Sequence, residues 1–328
     1  MSAVHQLYPL KFQPLYKYRM WGGNKLRTAL NKAYEGENIG ESWEISDVQG
    51  DETKVMNGPL TGHTLRSLAN EFKGDFLGNA VYEKFGNEFP LLIKFIDAKT
   101  PLSIQVHPHD HIAKERHNSF GKNEMWYVMA ADEGAEIIVG FDQKVDKETY
   151  TQKLEEGNIL EVMNAEKTAA GDVFNIPTGR VHAIGAGVLL AEIQQTSDIT
   201  YRIYDYNRVD KATGKTRELH NDLAIDVIDF EVHDSYKTNY DKTANARSKM
   251  VHTPYFKSNI LPISEPQKVD YSNIDSFVIH ICTEGAYNIY FNDEAYHVNK
   301  GESILLPAQI DGIEIQPIGF SEILEVHM

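Results

Sequence analysis

The chain has 328 residues, 41% of them hydrophobic, with a formal net charge of −16. That composition supports packed cores and excludes a disordered chain, and the acidity, with no basic tract against it, argues against nucleic acid and anionic membranes as partners. No apolar run approaches the roughly 18 residues of a membrane span, MSAVHQLYPLKF is not a signal peptide, and the single Cys282 allows no internal disulfide, so a cytoplasmic setting is expected.

Residues 1–60 are broken by Gly and polar clusters, with short strand-like pieces such as Glu41–Ser46. Leu65, Leu68, Phe72, Phe76 and Leu77 recur at helical spacing and predict a helix over 63–85. Strands follow at 91–96, 102–107, 125–130 and 135–141. A helix is expected at about 147–156, with Asp146 as N-cap and Gly157 as its stop. Further strands are predicted at 172–176, 188–194, 277–282, 286–291 and 303–306. Many short strands separated by turn residues favour a mainly β chain of jelly-roll barrels with a few added helices. The polar stretch 231–256 reads as a link between two units, 1–250 and 251–328.

Four segments carry chemistry. In LSIQVHP (Leu102–Pro108) strand alternation puts Gln105 and His107 on one face and Ile104 and Val106 on the other. One strand thus offers an amide oxygen and an imidazole together, half of a metal site. His109, His111 and His117 read as a His-rich surface loop beyond Pro108. In GKNEMWY (Gly121–Tyr127), Glu124 precedes bulky apolar residues. A cation would offset the cost of burying its charge, while a solvated strand edge is the alternative. Lys122 shares its face. GDVFNIPTGRVH (Gly171–His182) spaces Gly, Pro, Gly and His as the second cupin motif does, with Pro177 and Gly179 turning the chain so that His182 points inward. A hairpin carrying an ordinary His is the competing reading. The first cupin motif is present in altered form, as Gln105-x-His107 with its Glu 17 residues later, so about a dozen residues must loop out between strands. Finally, Glu192–Arg208 gathers Asp198, Arg202 and Arg208 among Tyr201, Tyr204 and Tyr206, which suits either a sugar-phosphate pocket or a stacked Arg–Tyr strand.

In that order, with Trp21–Lys25 and Gly40–Ser46 ahead of them, these segments resemble the type I phosphomannose isomerases, especially their shorter bacterial form, from about residue 8 to 230 and more faintly to the end. The resemblance implies one Zn²⁺ per chain held by Gln105, His107, Glu124 and His182. It implies Arg202 as the catalytic Arg, with Lys122 and Asp198 as further active-site groups. The implied reaction interconverts mannose 6-phosphate and fructose 6-phosphate through an enediol. Gly121 departs from longer members, which carry His there. Lys99 and Ser103 are candidates for phosphate contact. Gly301–Pro307 repeats the Gly, five residues, Pro spacing without a following His, so 258–328 is expected to be a degenerate cupin without metal. An Fe(II) cupin oxygenase and a non-catalytic sugar-phosphate-binding cupin are the alternatives, and monomer and homodimer both remain open.

Overall fold

In a computed structural model, residues 6–328 are described. The N-terminal part is built from two facing antiparallel sheets. One has six strands, in the order Val173–Ile176, Glu124–Ala131, Val188–Gln195, Leu91–Ala98, Ile39–Ile45, Leu15–Tyr18. The other has five, ordered Met163–Lys167, Glu136–Phe141, His182–Ile184, Ile104–Val106, Tyr201–Tyr204. The long central strands are rich in β-branched and aromatic residues, which fit a pleated, half-buried surface. The two sheets lie face to face as a cupin jelly roll rather than closing into one continuous barrel. Trp126, Val128, Ile137, Val139, Phe174 and Leu190 pack in the core between them.

A second sandwich follows. Its five-stranded sheet runs Ser248–His252, Lys257–Ile263, Ser321–His327, Val278–Glu284, Ser303–Leu306, and a four-stranded sheet of residues between Gln267 and Pro317 covers it. The outer face of the six-stranded sheet and the second sandwich share one core, in which the Phe89 and Phe277 rings pack tilted, with centroids 4.5 Å apart. The bridge between Leu10 and Leu305 ties the N-terminal segment to the same unit.

Two expectations need correction. The span 63–85 is three short helices, Leu65–Phe72, Gly74–Leu77 and Asn79–Phe85, because Lys73 (φ 50°) and Gly78 (φ 95°) take positive φ and break the ladder. The chain after Pro108 is not a loop but a helix, Asp110–His117, closed by Asn118 in the left-handed region. The helix Lys147–Glu155 matches its expectation, with the Asp146 side chain accepting from Thr149 N–H at 2.8 Å and Gly157 beyond it at φ 74°.

Candidate metal centre and active site

Alternation along the strands builds this site. In the five-stranded sheet Gln105 is the register partner of both His182 and Arg202. Their neighbours Ile104, Val106, Ala183 and Ile203 pack on the far, helix-covered side, so the polar side chains face inward. In the six-stranded sheet Met125, Tyr127, Ala191, Ile193, Ile93 and Phe95 face the shared core. That leaves Glu124, Trp126, Glu192 and Lys94 on the inner face. The turn Pro177–Gly179 delivers His182. Gly179 has φ 86°, a Cβ there would lie 2.8 Å from Val227 O, and its N–H donates to His107 O at 2.9 Å. One turn therefore positions both imidazoles.

Glu124, His107 and His182 are buried, and their ligand atoms lie within 4.8 Å of one another. His107 Nδ1 donates to Ile199 O at 2.9 Å and His182 Nδ1 to Arg180 O at 2.8 Å. These bonds fix the tautomers, so in the neutral rings both Nε2 atoms carry lone pairs. The two Nε2 atoms are 3.1 Å apart, and His107 Nε2 is 2.9 Å from Glu124 Oε1. A shared proton does not relieve this crowding. Burial, then the Lys122 charge, pushes the His107 imidazole down to about 3, and burial lowers His182 as well. Glu124 Oε1 has the Lys122 ammonium 3.0 Å away on one side, and neither imidazole, its Nδ1–H turned to a backbone carbonyl, offers it a proton on the other. Three electron-pair donors converging without a proton between them form the donor set of a cation site, and two imidazoles with one carboxylate suit zinc chemistry. The Gln105 amide reaches 3.3 Å from His182 Nε2, and a half-turn of that amide exchanges its nitrogen for a ligand oxygen.

Beside this cluster a cleft of ≈ 420 Å³ is lined by Gln105, Lys122, Lys94, Glu192, Arg202 and Trp126, among others. Lys122 Nζ is 3.0 Å from Glu124 Oε1. Burial alone would lower that ammonium, but Glu124 and Glu192 outweigh it and hold it above the usual lysine range. Glu124 is held well below its ordinary value, since the Lys122 charge beside it overcomes its burial. Glu192 moves the other way. Burial and the Glu124 charge raise it, although Lys94 Nζ lies 3.0 Å away and Trp126 Nε1 donates to it at 2.8 Å. At the wall, Arg19 grips Glu41 through two bonds of 3.0 and 2.8 Å. Burial opposes the Glu41 charge, yet Arg19 and Lys94 hold its carboxyl at about 2.

The fold brings Gln105, His107, Glu124, His182, Lys122 and Arg202 together. Asp198 stands exposed at the rim of the same cleft. Ser103 lines the cleft and accepts from Arg202 Nε at 3.3 Å, whereas Lys99 lies in a separate depression with Asp97 and Lys25. His109 contacts Thr178, and His117 contacts Tyr201. A Cβ at Gly121 would sit 2.8 Å from Asp110 N, so position 121 has no room for an imidazole. Sequence reasoning missed Lys94, Glu192, Arg19 and Glu41. For Lys94 and Glu192 the available signal was a charge set among the apolar residues of a strand, as in LLIKFIDA and VLLAEIQQ.

Comparisons with known proteins establish the family. A family model for the catalytic domain of type I phosphomannose isomerase matches residues 9–139, and one for the cupin domain of mannose-6-phosphate isomerase matches residues 246–328. The probable mannose-6-phosphate isomerase GmuF of Bacillus subtilis is 34% identical, across 94% of this chain and 96% of its own length. Mannose-6-phosphate isomerase ManA of the same organism is 33% identical, across 98% and 99%. The crystal structure of a Bacillus subtilis mannose 6-phosphate isomerase superposes with a TM-score of 0.89 at 31% identity, covering 98% of this chain and all of that one. By sequence and by fold, then, the chain belongs to the type I phosphomannose isomerase family.

Proposed function

We propose that the chain is a zinc-dependent isomerase that interconverts mannose 6-phosphate and fructose 6-phosphate through an enediol. The observation that carries this reading is the convergence of Glu124 Oε1 with the lone pairs of His107 and His182 on the edge of a cleft that also holds Lys122, Glu192 and Arg202. Gln105, His107, Glu124 and His182 would hold the ion. With one carboxylate and three neutral ligands, bound Zn²⁺ keeps a net positive charge and supplies Lewis-acid stabilisation to the negative oxygen of an enediolate, with no redox demand.

The chain's own groups do the rest. From aldose to ketose, a proton leaves C2 and one is returned to C1, while the C2 hydroxyl gives up its proton and the C1 oxygen takes one up. Glu192 is the carboxyl suited to that transfer, because its raised affinity for a proton brings it toward neutrality while Lys94 and Trp126 fix its orientation. Lys122 keeps its charge and balances the acids around it. Arg202, tethered by Ser103 Oγ and by Glu218 O at 2.8 Å, presents a cation to substrate oxygens. Asp198 at the rim is placed for a sugar hydroxyl.

The test uses mannose 6-phosphate carrying deuterium at C2. The protein is expected to form fructose 6-phosphate and to release part of the label into water, as proton transfer through an enediol requires. Full retention of label in the product would overturn the enediol route, and binding without conversion would overturn the assignment as an enzyme.

A further inference from the structure

The cleft cations divide into two groups. Arg19, Lys94 and Lys122 each have a carboxylate partner, in Glu41, Glu192 and Glu124 respectively. A second group gathers around Asp205. Arg217 bonds it through Nε at 2.8 Å and Nη2 at 2.5 Å, and Arg208 bonds it through Nη2 at 2.5 Å. Arg202, close enough to feel the charges of Arg217, Arg208 and Asp205, has no carboxylate partner among the described residues. Three guanidiniums thus gather around one carboxylate that bonds only two of them, in a protein whose net charge is −16. The other carboxylates at the mouth, Asp198 and Asp210, bond none of the three. Asp210 instead accepts from Tyr18 Oη at 3.0 Å.

Arg208 is fully engaged. It donates to Asp205 and, at 2.5 Å, to Pro101 O, it stacks on Tyr206, and it stays off the cleft wall. Arg217 differs. The hairpin Val209–Asp210 with Lys215–Thr216 carries it to the cleft, where it lines the wall. Its Nε and Nη2 are fixed on Asp205, while its Nη1 has no hydrogen-bond partner among the described residues. A guanidinium pinned along one edge and open along the other is pre-organised for an anion and loses little entropy on binding one.

We infer that Arg217, oriented by Asp205, is the specificity-determining contact for the substrate's phosphate, with Arg202 and Ser103 on the inner side of the same subsite. This rests on the isomerase reading above. The reacting carbons would lie toward the metal ligands and the dianion toward the hairpin at the mouth.

The experiment compares wild type, Arg217→Ala, Arg217→Lys and Lys215→Ala as full chains loaded with Zn²⁺. It measures KM and kcat for mannose 6-phosphate, turnover of unphosphorylated mannose at high concentration, and competitive inhibition by inorganic phosphate. Arg217→Ala is expected to raise KM and the phosphate inhibition constant about 10–100-fold, the worth of one charge-assisted hydrogen bond pair. Its kcat, its metal content and its slow turnover of mannose should stay within about threefold of wild type. Arg217→Lys should recover part of the loss, and the exposed Lys215→Ala should change nothing. Unchanged KM and phosphate inhibition in an active Arg217→Ala protein would overturn the inference while leaving the isomerase reading intact. A fall in mannose turnover equal to that for the phosphorylated sugar would also overturn it, since that reports structural damage. An inactive wild type would instead overturn the functional reading itself.

Discussion

Two carboxylates on neighbouring strands, Glu124 and Glu192, share the indole N–H of Trp126 at 3.0 and 2.8 Å, yet their surroundings shift them in opposite directions. The Lys122 ammonium faces Glu124 and keeps it ionised despite its burial, the state in which a carboxylate can hold a cation. Burial and the neighbouring Glu124 charge outweigh the Lys94 ammonium at Glu192, so it takes up a proton more readily. Environments that push a pair of acids apart assign their roles. Glu192→Gln keeps the size and one acceptor but cannot carry a proton. It is expected to lower kcat about 10²–10⁴-fold, the usual worth of a positioned acid–base group, while bound zinc by elemental analysis stays near one per chain. Wild-type turnover in that variant would remove Glu192 from proton transfer.

At the scale of strands and turns, much of the site was legible. Period-two alternation alone placed Gln105 and His107 opposite Ile104 and Val106, and the spacing from Gly171 to His182 foretold the inward imidazole. Lys94 and Glu192 were not, because their meaning comes from a partner across the sheet, and no local pattern pairs residues 98 positions apart. The helix Asp110–His117 was hidden by its own polarity, since only Ala113 of its eight residues is fully buried. The second sandwich holds an unforeseen polar group. Buried His280 Nε2 is 2.7 Å from Tyr271 Oη, which lies 2.9 Å from Glu325 Oε2, itself 2.9 Å from Arg247 Nη2. Burial pushes the His280 imidazole down to about 4, despite the Glu325 charge. In the unfolded chain it titrates near 6.5, so on acidification the unfolded state takes up the proton first. Stability from this group is complete above about pH 6.5 and is lost as pH falls through 4, by up to about 3 kcal/mol. Urea midpoints measured between pH 7 and 4 should fall steeply for wild type and less steeply for His280→Gln. Parallel slopes would contradict the assignment.

Across the whole molecule, the six-stranded sheet works on both faces. One carries the cleft; the other packs on the second sandwich, where Phe277 N–H donates to Leu77 O at 3.1 Å and Tyr127 Oη donates to Glu322. The metal-side strands are thus braced from behind by the C-terminal unit. Phe277→Ala should cost about 3–5 kcal/mol, as for a large aromatic removed from a core, and calorimetry should show one cooperative transition lowered as a unit. Two separated transitions would show that the halves do not share a core. Among the described residues no helix is long and apolar enough to cross a membrane. The claim on which the rest depends is that a cation held by Gln105, His107, Glu124 and His182 is required for turnover. Its most direct test is to strip metal with a chelator, add Zn²⁺ back stepwise and follow fructose 6-phosphate formation. Activity should vanish on stripping and return in full at one equivalent per chain, with no return for His182→Ala. Undiminished activity in the metal-free protein would contradict the account.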